Sequence, residues 1–180
     1  MTDVTIIGPR PDARLALASE NLTSFVWSQA IAMSKLTGVT WQPSDSAPAD
    51  YHSLCREYAK ALTFGEPLPV SDRFCESTIY VGTEANVAFR YWHDLTHVRL
   101  GRGFDVHGEV EVARAHLSIL EAYGLGPATI EYQLLSLDTL GQTLCSAATG
   151  GFPADQRCFV RNGLRDGLPV AIRKVLGDQQ

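Results

Sequence analysis

A chain of 180 residues, 45% hydrophobic and 19% charged with a formal charge of −5, has the length and composition of one globular domain with its own core. A net acidic chain without a Lys/Arg run is poorly matched to phosphate backbones. That argues against nucleic acid as a partner, apart from a small basic patch at Arg157, Arg161 and Arg165. No apolar run approaches the roughly 20 residues that span a bilayer.

At the N-terminus Asp3 stands where a secretion signal needs positive charge, and Pro9 and Pro11 interrupt its apolar stretch, so the expected location is the cytoplasm. Val4 to Gly8 reads as a short strand or an extended arm over residues 1–10. Pro11 suits a first helical turn, and Leu15, Leu22, Phe25, Val26 and Met33 follow at helical spacing up to Gly38. Trp41 to Pro48, rich in Pro, Ser and Asp, predicts a loop, and Asp50 caps a second helix with Leu54, Tyr58, Ala61 and Leu62 on its apolar side. Residues 65–82 are irregular, with Pro67, Pro69 and the β-like run Thr78-Ile79-Tyr80-Val81. A lid, a rim or a short β-hairpin would account for them.

From Glu84 the pattern is helical to Gly101, then turns through Gly101-Arg102-Gly103. So short a turn sends the next helix, capped by Asp105 and running to Gly124, back antiparallel. Pro127 opens another helix striped by Ile130, Leu134, Leu137, Leu140 and Leu144. A loop through Gly150, Gly151 and Pro153 leads to a last short helix around Val170 to Leu176. The expected fold is mainly α, a single-domain helical bundle over residues 1–180 built around one antiparallel helical hairpin. Cys55, Cys75, Cys145 and Cys158 form no CxxC pair and read as buried free thiols.

Four of the five histidines fall between Phe89 and His116. His93 and His97, four apart on a helix, share one face with Phe89 and Leu100, and two imidazoles so placed can grip one divalent ion. Across the hairpin Glu109, Ala113 and His116 share a face, and Glu109, near the turn, is the third ligand. Two histidines and one carboxylate leave positions for water, the open arrangement of catalytic zinc sites. Asp94 then acts as general base or orients a histidine, unless it pairs with Arg90 one turn earlier. His116, about 10 Å beyond Glu109 along its helix, sits level with His93 as support or as ligand of a differently placed ion. Asp138 and Gln142 form a polar edge that faces solvent or, if turned to the hairpin, adds a ligand or a partner for His116. His107, at its helix start, faces solvent or the site. The bland alternative for the whole cluster is a buried polar network in a non-catalytic interaction protein.

The string Phe89-Arg90, His93-Asp94, His97, Phe104, Gly108-Glu109, Ala113, His116 and Gly141-Gln142 resembles an uncharacterised domain encoded by phages and plasmids, over about a third of the chain. That resemblance implies a site built from those residues and brings no established activity. His93, His97 and Glu109 are also similar to the ligand plan of small gluzincin-type zinc peptidases, with Asp94 where those have Glu. A third resemblance is to HD-domain phosphohydrolases, which implies His52, His93-Asp94 and Asp138 or Asp155 as ligands, assisted by His97 or His107. In the WHDLTH string Thr96 stands where those have Gly. The two enzyme resemblances imply metal-dependent hydrolysis, of peptide or phosphoester, and zinc is the expected ion.

Overall fold

The structure, a computed structural model, describes residues 11–177; the arm expected over 1–10 lies outside them. The described chain is mainly helical, and none of its helices is long and apolar enough to cross a membrane. Helix α1, Pro11–Thr37, packs along α3, Thr83–Leu100, the central helix, which is buried from Ala85 to Phe89 and again at Tyr91, Trp92 and Leu95 to His97. Phe25 of α1 meets Trp92 of α3 edge to face at 5.7 Å, the geometry aromatic quadrupoles favour. Helix α2, Tyr51–Phe64, starts at a capping box in which Asp50 accepts from the Ser53 backbone, and it packs on α3.

The only strands among the described residues are β1, Trp41–Ser44, and β2, Leu68–Ser71, paired in parallel around α2. This corrects both the loop expected at Trp41 and the hairpin expected within 65–82. A parallel pair needs a crossover, and α2 supplies it. In a two-stranded sheet Pro43 and Pro69 can turn their missing donors outward, so neither forbids a strand. The β-branched run at Thr78 to Val81 forms bends; Thr78, Ile79 and Tyr80 are apolar or β-branched because they are buried.

Helix α4, Val106–Ala122, is capped by Asp105 and returns along α3 as the turn length predicts. Gly101 takes a left-handed φ of 64° to end α3, a conformation glycine adopts without steric cost. Beyond it, α5 begins at Ile130 under a Thr129 cap, so Pro127 lies in the preceding turn. After α5 (Ile130–Ser136) the chain widens into a π-helical stretch, Leu137–Gly141, before α6, Gln142–Thr149. Two helices close the described chain: α7, Gln156–Asp166, and α8, Leu168–Gly177. The segment expected to be loop up to Val170 therefore contains α7. Its mid-helix Gly163 masks it in the sequence, and that glycine is there because Leu137 packs onto it: a Cβ would lie 2.7 Å from the Leu137 side chain. Of the four thiols, all expected to be buried, Cys75 and Cys145 are, Cys55 is half-buried and Cys158 is exposed.

Candidate metal centre

Helices α3 and α4 bring His93, His97 and Glu109 together as a group able to hold a metal ion. The Nε2 atoms of His93 and His97 are 3.0 Å apart. The Glu109 carboxylate lies 3.2 Å from the first and 3.5 Å from the second. The two contacts use different carboxylate oxygens, Oε2 towards His93 and Oε1 towards His97, and one ligand atom from each of the three residues can be chosen so that all lie within 4.8 Å of one another, close enough to share one ion. His97 is fully buried, and His93 and Glu109 are about one-fifth exposed, which leaves the group open on one side.

The hairpin turn also sets a tautomer. His97 Nδ1 lies 3.0 Å from the Arg102 carbonyl oxygen, which can only accept, so Nδ1 carries the proton and Nε2 offers a bare lone pair. His93 Nδ1 lies 3.3 Å from Nε2 of His116, a buried ring packed at a 44° tilt against Trp92 with centroids 3.8 Å apart. Burial, and then the neighbouring His93 and His97, hold the His116 pKa well below its usual value, so its imidazole is neutral and can accept the His93 Nδ1 proton. His116 thus touches His93 from behind, and its Nδ1 is buried without a partner among the described residues.

Electrostatics around the group are strongly coupled. Burial pushes His93 down, but its hydrogen bond to Glu109 and that carboxylate's charge outweigh it, leaving the pKa raised. For Glu109 burial raises and the two imidazoles lower, with a net displacement well below the usual carboxylate range. Asp94 is lifted by burial to about 6 against the opposing pull of His93 and His97. It lines a cavity of about 330 Å³ with His93, Phe104 and Glu109. No ion pair joins it to Arg90: that guanidinium instead donates through Nη1 to the carbonyls of Ser71, at 2.9 Å, and Arg73, at 2.7 Å.

A larger cavity, about 660 Å³, opens on the other side of His93 and Glu109, walled by Phe74, Phe89 and Phe152 and reached by Arg90. Asp138 and Gln142 line it, a correction to the solvent-facing edge expected for them. Gln142 Nε2 donates to Asp138 Oδ1 at 2.8 Å and the buried Tyr80 hydroxyl donates to Oδ2 at 3.2 Å; burial lifts this carboxyl to about 6. Asp138 therefore bonds Tyr80 and Gln142, and His116 finds its partner in His93.

The other residues named from sequence lie apart from the group. His107 is exposed and faces Glu111, which also pairs with Arg102. Asp155 caps α7 and accepts from Ser77. His52 sits on the first turn of α2 beside Tyr51, and Leu100, expected inward, is 45% exposed. Tyr80 is the residue sequence reasoning missed: lying 58 positions from Asp138 in an irregular segment, it leaves no spacing signal. No family model, curated protein or solved structure matches this chain.

Proposed function

We propose that this protein is a metal-dependent hydrolase of the phage- and plasmid-encoded kind its motif resembles, working in the cytoplasm with zinc at His93, His97 and Glu109. The observation that carries the reading is the convergence of two imidazole nitrogens and a carboxylate at 3.0 to 3.5 Å. The opposite nitrogen of each ring meanwhile has its own partner, Arg102 O for His97 and His116 for His93. An ion in such a site supplies a water acidic enough to attack at neutral pH. With an ion held there, Asp94, whose carboxyl lines the cavity beside His93 and Glu109, would be the group placed to hold a proton. Asp138 and Gln142 line the side from which substrate enters, and His116 holds the His93 ring. Peptide and phosphoester substrates both suit this chemistry.

The test is metal content and turnover on the same preparations, purified without chelator and assayed on casein and on bis(p-nitrophenyl) phosphate. Asp94→Ala should keep one ion per chain and lose turnover. Loss of the ion would make Asp94 a ligand and favour the phosphohydrolase plan. His52→Ala should change neither quantity, and a drop in either would count for that plan as well.

A second reading rests on the mutual hydrogen bonding of His93, His97, His116 and Glu109, which pair with one another as a polar network. A non-catalytic interaction protein would use the cluster in that way. It would bind no stoichiometric ion, and EDTA would leave its melting temperature unchanged.

A further inference from the structure

We infer that the larger cavity recognises substrates carrying an oxyanion, a carboxylate or a phosphate, through Arg90, with the group to be attacked placed at the ion; this rests on the metal-site reading above. Arg90 precedes His93 by three residues on α3, about 4.5 Å along the helix axis, and both side chains line the same cavity. The guanidinium is fixed rather than mobile, because Nη1 is held by the Ser71 and Arg73 carbonyls. Its Nε and Nη2 have no hydrogen-bond partner among the described residues, which leaves a planar pair of donors of the kind that binds carboxylate or phosphate in bidentate fashion.

Nearby carboxylates do not consume that charge by contact. Asp94 and Asp138 both feel Arg90, yet neither forms an ion pair with it among the described residues. Arg73 lines the same cavity. With a divalent ion present, two arginines and the ion outweigh Glu109, Asp138 and Asp94 even when all three are ionised, so the loaded cavity is net positive. The buried Phe89 ring forms an apolar floor between the two poles, while Phe74 and Phe152 stand exposed at the rim, where they can cover the apolar part of a bound substrate.

Hydroxamates separate the two ends of the site, since the hydroxamate binds an open metal position and the remainder samples the cavity. The probes are succinic and glutaric monohydroxamate, the phosphonate analogue of the former, and uncharged butyrohydroxamate, titrated calorimetrically into zinc-loaded protein. A charged probe should bind at least about tenfold more tightly than the uncharged one, a difference of the size a charge-assisted hydrogen bond supplies. Whether carboxylate or phosphonate gains more identifies the source of the oxyanion. Arg90→Gln should keep the ion and lose the gain, and Arg73→Gln should retain most of it. Equal affinities on the wild-type protein overturn the proposal without any variant, and so does a gain that survives Arg90→Gln. If no hydroxamate binds a protein holding one ion per chain, there is no open position, and the hydrolytic reading fails together with this one.

Discussion

His97 shows how a single side chain is committed before any ligand arrives. Its Nδ1 faces a backbone carbonyl and its Nε2 faces His93 and Glu109, so one ring nitrogen is assigned by the backbone and the other is left for chemistry. Asp138 is the second instructive residue. Its folded pKa of about 6 lies above that of an unfolded aspartate, so the fold favours the protonated form. The stability this contributes is complete below about pH 4 and is lost as pH rises through 6. Asp138→Asn keeps the shape without the charge. Chelator-treated Asp138→Asn protein should therefore be more stable than wild type at pH 7.5, by about 3 kcal/mol, with the difference vanishing near pH 4. Urea unfolding at the two pH values checks this, and a variant less stable at pH 7.5 would contradict the assigned burial cost.

The element that matters most is the α3–α4 hairpin, because its turn does two jobs. The turn ends α3 through Gly101 and presents the Arg102 carbonyl to His97. Gly108 on the first turn of α4 lies so close to Gly103 that an added Cβ would sit far inside contact distance of the Gly103 carbonyl oxygen. Gly108→Ala must therefore pry α4 from the turn, displacing Glu109 and Arg102 together. We expect a destabilisation of roughly 2–4 kcal/mol, with weakened zinc binding, from such overpacking at backbone. The control is Gly126→Ala, where nothing lies within 4 Å of the new methyl, and denaturant melts should barely move. A Gly108→Ala protein with wild-type stability and zinc affinity would show that the close approach does not position the site. The π-helical stretch is the counterpart on the opposite wall. Its extra residue rotates the side chains of α6 by about 100° around the helix axis, and π-bulges recur at functional sites.

Across the whole molecule, the features legible in the sequence are those that depend on local geometry. The four-residue spacing of His93 and His97, the short glycine turn and the Asp105 cap together place Glu109 opposite them, since helical rise and turn length are properties of neighbouring residues. The mainly helical class comes from the same periodicity. Features created by distant partners are not legible. The leucine stripe predicts Leu144 inside, whereas the π turn leaves it 44% exposed and buries Cys145. The same turn directs Asp138 and Gln142 into the cavity. Strand β1 looks like a loop because its pairing partner lies beyond an intervening helix. Arg90, which by spacing alone could pair with Asp94, is instead drawn off by two carbonyls of the chain around the end of β2. The proposed chemistry depends on one ion in the pocket between α3 and α4, and anomalous diffraction at the zinc edge from crystals grown without chelator tests for it directly. The peak should lie about 2.0–2.2 Å from His93 Nε2, His97 Nε2 and a Glu109 oxygen. A full-occupancy zinc bound elsewhere, or no peak at those three atoms in crystals soaked with zinc, would contradict it.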